Sequence, residues 1–389
     1  MGPLAGVRIV EFGGIGPGPM CAMLLADLGA DIIRIDRPVP GGLGTPRPDR
    51  YNLLNRSRRS VILDLKRPEG IDAALRLIER ADALVEGFRP GTMERLGIGP
   101  QACLERNARL VYGRMTGWGQ DGPLAMVAGH DLNYISLSGV LHSIGRKGGA
   151  PTPPLVLTGD YGGGALYLAL GVLSGVIAAR ESGKGQVVDA AMVDGSASLM
   201  TSYYGQYACG LHHDERGTNV TDGGVYYWDV YQCADDCYVS IAPIEPKFRA
   251  VLIEKLGLAD LDPPLDAMTH DEARDTLRAV FRKKTRDEWC AQMAGADACF
   301  APVLSLGEAP LHPHNRARGT FIKVDGIVQP APAPRFTGTP TALPTAPESP
   351  GASTAIALAQ WGFDEAEIAR LGADGVFGPA FAAGASAAR

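Results

Sequence analysis

The hydrophobic and polar positions of the first hundred or so residues alternate between two periods. Short runs rich in Val and Ile predict strands, and the longer apolar patterns between them have helical spacing. The strand-like runs are VRIVEF, DIIRIDRP, SVILDLK, ALVEGF and LVYGRMTGWG, and the helical patterns include PMCAMLLADLGA and a segment that begins near Pro68. Strands that alternate with helices in this way are typical of a parallel α/β sheet.

The stretch YGGGALYLALGVLSGVIAA, residues 161–179, carries no charge and is about as long as a membrane span. It opens with three glycines and stands alone in a chain whose other segments are typical of soluble proteins. We therefore predict a buried helix and no association with a membrane. The sequence GQVVDAAMVDGSASLM then predicts a further strand and helix.

Residues 217–245 differ in character, because aromatic and β-branched residues alternate around an Asp-Asp turn. This pattern predicts an antiparallel hairpin. Two or three short helices are predicted over residues 246–297, which together with the hairpin indicate a small α+β domain. Residues 329–352, rich in Pro, Ala and Thr, predict an extended arm, and residues 364–375 predict a helix with acidic residues in its first turn.

These patterns divide the 389 residues into four parts. We predict a large α/β domain over residues 1–200, a linker over 201–225 and a small α+β domain over 226–315. Residues 316–389 are expected to form a return segment and a C-terminal helix that pack on the large domain.

Composition and charge narrow the class of protein. The formal net charge of -6 argues against a nucleic-acid partner or an anionic membrane surface. An odd number of cysteines, seven, does not form a disulfide framework, so we expect a reducing, cytoplasmic location. Cys233 and Cys237 flank a turn-like Ala-Asp-Asp, which favours a hairpin over half a zinc site. No signal peptide is predicted, and the ending SAAR is not a peroxisomal address.

The glycine loop between the first strand and the first helix resembles that of a dinucleotide-binding protein, and Asp36 stands where a ribose-binding acid would. However, Pro19 takes the place of the third glycine, and Pro17 removes a main-chain donor. Binding of NAD is therefore disfavoured.

Basic residues near the predicted strand ends suggest a phosphorylated ligand instead, since arginine forks match phosphate geometry. They are Arg37, Arg56, Arg58, Arg59 and Lys66. For any one of them, a solvated surface position is the simpler interpretation. Arg89 is a stronger candidate, because it follows an apolar strand at the end of the sheet where α/β proteins bind ligands.

Three ionisable residues stand out by their setting. His130, in AGHDLNYISLSG, follows a small residue and precedes a strand-like apolar run, so we expect partial burial; the local pattern fits a catalytic base and a satisfied core histidine equally. Asp160 begins the apolar helix and fits either an N-cap or a carboxylate held at the mouth of the sheet. Glu245 is a lone acid at a hairpin end or a helix start. Asn133 is expected to make structural hydrogen bonds, and no histidine spacing typical of a metal site is present.

Several segments together resemble the class III CoA-transferase (CaiB/BaiF-like) family, in particular its α-methylacyl-CoA racemase branch. They are GIGPGPMCAMLLADLGADIIRIDRP, RSVILDLK, MTGWGQDGP, AGHDLNYISLSGVL, GKGQVVDAAMVDG and APIEPKF, and the match runs from residue 4 to about 336. The resemblance implies a large Rossmann-like parallel-sheet domain and a smaller α+β domain in an interlocked homodimer.

The activity that the resemblance implies is that of an isomerase of lipid metabolism, which interconverts (R)- and (S)-2-methylacyl-CoA thioesters by 1,1-proton transfer through an enolate. Inversion requires an acid/base group on each face of one carbon. The resemblance assigns these groups to His130 and Asp160, with Glu245 of the partner subunit orienting the histidine. No metal or redox cofactor is implied, because CoA is part of the substrate.

The resemblance also assigns a binding role to the main-chain N–H of Asp131, which would contact the enolate oxygen. The residues expected to hold CoA are Arg37, Leu63, Asp64, Leu65, Lys66, Arg89, Gly129, Asp131 and Tyr134. The chain has DGGVYYW where family members often have DGGAPFY, which leaves the accepted acyl length open.

Two other functions compete with the racemase. The first is a CoA-transferase of the same fold, in which Asp160 is a nucleophile. The second is a non-catalytic acyl-CoA binding protein.

Overall fold

The computed structural model describes residues 2–39, 41–42 and 44–378. Its contacts separate two compact units, the first made of Met1–Ser138, Leu155–Leu199 and Arg318–Arg389, the second of Gly139–Pro154 and Met200–Ala317. The predicted four-part division stays a prediction, and the SAAR sequence lies outside the described residues.

Six strands form the sheet of the first unit. They are β1 (Arg8–Phe12), β2 (Asp31–Asp36), β3 (Arg59–Ile62), β4 (Ala83–Glu86), β5 (Val111–Thr116) and β6 (Gln186–Ala191). The order across the sheet is β3-β2-β1-β4-β5-β6, and all neighbours are parallel. This is the order of a doubly wound, Rossmann-like sheet, so the predicted parallel α/β sheet is confirmed.

Helices follow most of these strands. In chain order they are α1 (Pro17–Asp27), α2 (Pro68–Ile78), α3 (Thr92–Arg95), α4 (Pro100–Arg106), α5 (Asp131–Leu137), α6 (Val140–Ser143), α7 (Leu166–Ser182), α8 (Met192–Leu199), α9 (Thr201–Ala208), α10 (Pro246–Lys255), α11 (His270–Phe281), α12 (Arg286–Gln292), α13 (Pro313–Arg318), α14 (Thr354–Gln360) and α15 (Glu365–Ala373). A π-helical turn, Leu157–Ala165, runs directly into α7.

The sheet is buried on both faces, as expected for a parallel sheet. Successive residues of a strand point to opposite faces. Accordingly, Ile9 and Ile32 pack in a core cluster with α1 and α7, whereas Val10 and Ile33 pack in a second cluster with α2, α14 and α15.

The basic residues near β3 form ion pairs within the fold. Arg58 is 1% exposed and its Nε lies 2.7 Å from a carboxylate oxygen of Glu11, which is fully buried in β1. Arg56 is likewise buried, with Nη2 2.5 Å from Asp27, and Arg59 pairs with Asp31. The suggestion that this cluster holds phosphate, or is simply solvated, is therefore wrong for Arg56 and Arg58, because their charges neutralise carboxylates within the fold.

The long apolar helix is half buried rather than fully buried. Residues Leu157–Ser182 are the one helical stretch among the described residues that is long and apolar enough to cross a membrane, and half of its most apolar part is buried. Leu166, Leu170 and Ile177 are each more than half exposed. The prediction of a wholly buried helix is thus wrong for one face.

The glycines at the start of this stretch allow close packing, since a Cβ on Gly163 would lie 2.6 Å from the main-chain nitrogen of Ser196 in α8.

The segment from residue 318 onward returns to the first unit. It begins with a two-stranded antiparallel sheet, β10 (Phe321–Val324) and β11 (Ile327–Pro330), and an extended stretch follows before α14. Gln329 accepts a hydrogen bond of 2.8 Å from Arg56, and a Glu348 carboxylate oxygen accepts one of 2.9 Å from the main-chain N–H of Ser60. The predicted extended arm and the helix over residues 364–375 are confirmed.

The second unit contains a three-stranded antiparallel sheet, β7 (Asp229–Gln232), β8 (Tyr238–Ile241) and β9 (Phe300–Pro302). Helices α10, α11 and α12 pack on it around a separate hydrophobic core. The main-chain N–H of Cys233 donates to the carbonyl of Cys237 at 2.8 Å. The predicted hairpin between these two cysteines, which are both free thiols, is confirmed.

Candidate active site

The carboxyl edge of the parallel sheet gathers most of the predicted site residues. Arg37 directly follows β2, residues 63–66 follow β3, Arg89 follows β4, and residues 117–134 follow β5. Because the carboxyl ends of parallel strands meet at one edge, this is where an open α/β sheet binds ligands. The strand order changes direction between β1 and β4, so the crevice of the sheet opens there.

Arg37 and Arg89 are two exposed cations at this edge. The Arg37 guanidinium lies over the ring of Phe88, 5.8 Å from its centroid, and Phe88 is the residue before Arg89. Neither arginine appears in the ion pairs of the described residues, unlike Arg56 and Arg58. Their charges are therefore available to an anionic ligand.

The segment after β3 is a loop, although the sequence placed it at the end of a strand. β3 ends at Ile62, and a carboxylate oxygen of Asp64 accepts a 3.1 Å hydrogen bond from the main-chain N–H of Lys66. Leu63 is buried, Asp64 and Leu65 are half-buried, and Lys66 is exposed. Only Lys66 offers a free side-chain cation from this group of four.

His130 occupies the N-cap position of α5, where its backbone is extended. The sequence predicted partial burial before a strand; instead, His130 is exposed and a helix follows. The apolar residues of this segment suggested a strand because α5, with seven residues, is too short for helical periodicity to stand out. The Asn133 side chain accepts a 3.0 Å hydrogen bond from the His130 main-chain N–H, so the structural role predicted for Asn133 is confirmed.

Tyr134 is a structural support of this loop. Its ring is 7% exposed and packs edge-on against Trp118 with centroids 4.7 Å apart. Its hydroxyl donates a hydrogen bond to the carbonyl oxygen of Gly129. Burial raises the pKa of Tyr134, and the charges of Asp160, Arg89 and Asp131 all act on it. These residues therefore lie around one point of the first unit.

Asp160 lies within the π-helical turn, four residues into it, and Val156 is the N-cap. The interpretation of Asp160 as a plain N-cap is thus wrong. π-Helical turns are frequent at functional sites, where they redirect side chains that an α-helix would place elsewhere. The main-chain N–H of Asp160 donates a 2.6 Å hydrogen bond to a carboxylate oxygen of Asp131.

The Asp160 carboxyl has an unusually high proton affinity. Burial, and after it the negative charge of Asp131, raise the pKa of Asp160 to about 6, although the charge of His130 acts in the opposite direction. A carboxyl with this pKa is about one-tenth protonated at pH 7. Asp160 can therefore donate and accept a proton near neutrality.

Gly16 forms one wall beside Asp160, and no pattern in the chain distinguishes it from the neighbouring glycines. It is the N-cap of α1 with φ of 69°, and a Cβ on it would lie 2.7 Å from a carboxylate oxygen of Asp160. The glycine loop that resembled a dinucleotide motif thus leaves room for a carboxyl group.

Glu245 lies in the second unit as the N-cap of α10, and its side chain is exposed. Of its two predicted settings, the helix start is confirmed. Its role toward His130 stays a prediction.

A cleft of about 720 Å³ also lies in the second unit, and none of the predicted site residues line it. Its basic walls include Arg146 and Arg274, whose guanidinium nitrogens lie 2.5 and 3.2 Å from the buried carboxylate of Asp229. Much of its positive charge is thus already neutralised, and we assign the cleft no part in the chemistry.

Comparison with known proteins agrees with the geometry. A model of CoA-transferase family III matches residues 4–354. The chain is 43% identical to α-methylacyl-CoA racemase of Mus musculus over 377 residues, which cover 95% of this chain and 96% of the relative. It is 41% identical to α-methylacyl-CoA racemase of Homo sapiens over 378 residues, with 95% and 96% covered. A CaiB/BaiF family protein from Brucella suis has the same fold, with a TM-score of 0.80 at 24% identity over 92% of this chain and 99% of that one. The chain therefore belongs to CoA-transferase family III.

Proposed function

We propose that the protein is an isomerase that interconverts (R)- and (S)-2-methylacyl-CoA thioesters by 1,1-proton transfer. The observation that carries the proposal is the pairing, at one edge of the sheet, of His130 with a carboxyl group whose pKa is about 6. An imidazole and a carboxyl group with a raised pKa form the kind of acid/base pair that a two-base reaction at one carbon requires. The identity to two α-methylacyl-CoA racemases supports the substrate class.

The reaction begins with His130 neutral and Asp160 protonated. The imidazole removes the α-proton of the thioester from one face, and the electron pair delocalises into the carbonyl as an enolate. The Asp160 carboxyl then returns a proton to the same carbon from the opposite face, which inverts the configuration. The other enantiomer reacts with the two roles exchanged.

The enolate oxygen needs a hydrogen-bond donor, and the main-chain N–H of Asp131 is positioned to be one. Asp131 is the first residue of α5, so its N–H has no acceptor within that helix. A fixed N–H directed at the developing charge is typically worth about 3 kcal/mol in an enzyme site.

The CoA moiety is assigned to the exposed cations of the same edge. Arg37, Arg89 and Lys66 would contact its phosphates, and the loop through Gly129 and Tyr134 would contact the pantetheine arm. The proposed chemistry needs no metal or redox cofactor, because the thioester itself acidifies the α-carbon. We place the reaction in the lipid metabolism of the cytoplasm.

We further propose a homodimer in which Glu245 of the partner subunit orients His130. The support is the apolar face of α7 and the preceding turn, where Leu157, Leu166, Leu170 and Ile177 are each more than half exposed. Such exposed apolar side chains on one helix indicate an interface. A homodimer would bury them and bring a second carboxylate to the site.

The variant Leu170→Asp is expected to lower the sedimenting mass from two chains to one, since it places a charge on the apolar face of α7. The exchange rate should fall with it, because Glu245 of the partner subunit is lost. Leu306→Asp is the matched control: Leu306 is 96% exposed, between Ser305 and Gly307. Sedimentation equilibrium measures the mass, and a wild-type protein that is monomeric and fully active contradicts the dimer.

Incubation of a 2-methylacyl-CoA in deuterated water tests the activity directly. We expect deuterium at C2, together with conversion of one enantiomer to a mixture of both, without any added acyl acceptor. Mass spectrometry and chiral chromatography measure the two quantities.

The alternative is a class III CoA-transferase, the activity named in the description of the family. In that case Asp160 would attack the thioester, and turnover would depend on an added free acid. Hydroxylamine-sensitive labelling of Asp160 without any C2 exchange would show that the protein is a transferase and not a racemase.

A further inference from the structure

The side chain of Asp131 is not used by the proposed reaction, which assigns a role only to its main-chain N–H. Asp131 is 3% exposed. One carboxylate oxygen accepts the 2.6 Å hydrogen bond from the Asp160 N–H, and the other is buried without a hydrogen-bond partner. Among the described residues, no Arg, Lys or His forms an ion pair with it.

A carboxylate in this position is costly. Burial of a charge without a counterion opposes folding. The absence of a side chain at Gly159 nevertheless leaves room for it, because a Cβ at that position would collide with the Asp131 carboxylate. The local structure is therefore built around a buried negative charge that contacts the peptide of Asp160.

We propose that the Asp131 side chain is a positioning residue for Asp160: it fixes the Asp160 peptide and places beside the carboxyl a negative charge that lets Asp160 keep a proton near neutral pH. This inference rests on the proposed function, in which Asp160 must act as the acid for one enantiomer. A carboxyl group ordinarily loses its proton well below neutrality. Burial and the adjacent like charge together oppose that loss.

The other charged groups around Asp160 do not replace Asp131. The turn that carries Asp160 packs against α1, α5, α7, α8, β5 and β6. Besides Asp131, the charged side chains on these elements are Asp27, Arg180, Glu181, Asp194, Arg114 and Asp189. Asp27, Arg114 and Arg180 are in ion pairs, Asp189 accepts from the Gln120 N–H, and Asp194 and Glu181 are exposed. The charges that act on Asp160 are those of Asp131 and His130.

The sign of the effect follows from the charge. Removing the negative charge of Asp131 makes the ionised form of Asp160 more favourable, so the pKa of Asp160 falls. The active enzyme holds one proton between Asp160 and His130, and it becomes inactive at low pH when both are protonated. A lower proton affinity of Asp160 therefore moves the acidic limb of the kcat/KM profile to lower pH. The apparent pKa of that limb belongs to Asp160 and His130 together.

The variant Asp131→Asn tests the inference, because the amide oxygen can still accept from the Asp160 N–H while the charge is lost. We expect the Asp160 titration midpoint, followed by ¹³C NMR of labelled aspartate carboxyls and assigned with Asp160→Asn, to fall by roughly one pH unit. The acidic limb of kcat/KM should move in the same direction. Asp131→Glu keeps the charge and should retain a midpoint near that of the wild type.

Asp194→Asn is the matched control, since it removes the same charge from an exposed position on α8, which packs against the same turn. It should leave both the midpoint and the acidic limb in place. If Asp131→Asn is poorly folded by circular dichroism, Asp131→Ser removes the charge with a smaller side chain and serves the same comparison.

An unchanged Asp160 midpoint in the charge-free variants overturns the inference, even if their kcat falls, because a purely structural role lowers the rate without moving a titration. The NMR measurement needs no turnover. A wild-type protein without α-proton exchange would therefore refute the proposed function, while the titration would still decide whether Asp131 sets the proton affinity of Asp160.

Discussion

Asp160→Ala is expected to reduce α-proton exchange by about 10³-fold or more, and His130→Ala by a similar factor, because positioned acid–base groups contribute roughly 10² to 10⁴ each. The pair acts on a single carbon, so the loss of either group removes inversion completely, whichever enantiomer is supplied. Exchange of the C2 proton in deuterated water measures the rate for each variant and for both enantiomers.

Affinity for CoA is the internal control of this experiment. The phosphates are assigned to Arg37, Arg89 and Lys66, so calorimetric binding of CoA should change little in either variant. Asp194→Ala, which removes an exposed carboxylate from α8, should retain full exchange. If Asp160→Ala and His130→Ala both remain active, the catalytic assignment is wrong.

Gly16→Ala should lower kcat/KM by at least about 10²-fold, because misplacement of a reacting group by about 1 Å is enough for such a loss. The added methyl would lie 2.7 Å from a carboxylate oxygen of Asp160, at a backbone φ of 69° that non-glycine residues rarely adopt. The carboxyl must therefore move or the first turn of α1 must shift. Steady-state kinetics and a thermal melt together separate loss of activity from loss of fold.

Gly18→Ala is a closely matched control two residues further on. Gly18 lies in the first turn of α1, and outside its chain neighbours and the backbone of that helix no atom lies within 4 Å of the position of its missing Cβ. Alanine favours the helix over glycine by about 1 kcal/mol, so this variant should be at least as stable as the wild type and fully active. Equal activity of the Gly16 and Gly18 variants would contradict the assigned contact with Asp160.

The sheet was predictable because its signals are local. The apolar strand runs and the helical patterns between them follow the chain in order, and parallel strands then have few ways to connect. The same order placed Arg37 and Arg89 after β2 and β4, at the edge where ligands bind. Patterns of this kind need only the sequence neighbours of each residue.

The site itself depends on contacts between distant segments, which periodicity does not report. Arg58 looked like a surface cation, yet it pairs with Glu11, 47 positions earlier in the chain. A charged residue inside the apolar strand VRIVEF was the available signal. The Asp131 side chain was missed for a similar reason: its hydrogen-bond partner is 29 residues away, and no spacing rule links the two.

The exposed position of His130 shows a second limit of sequence reasoning. Seven residues of α5 are too few for helical periodicity to stand out from strand alternation. The resemblance assigned His130 to catalysis without specifying its secondary structure. The helix matters, because it makes Asp131 a first-turn residue and so frees the N–H that the proposed mechanism uses.

The return of residues 318–378 to the first unit bears on how the protein is made. Trp361 donates a 3.0 Å hydrogen bond to Asp31, Gln329 accepts from Arg56, and Glu348 accepts from Ser60. The partners in β2, in β3 and just before β3 are synthesised some 270 to 330 positions earlier. At about 5 to 20 residues per second, a ribosome leaves these early segments without their late partners for roughly fifteen seconds to a minute. The first unit of a nascent chain therefore cannot complete these contacts until nearly the whole protein has been made.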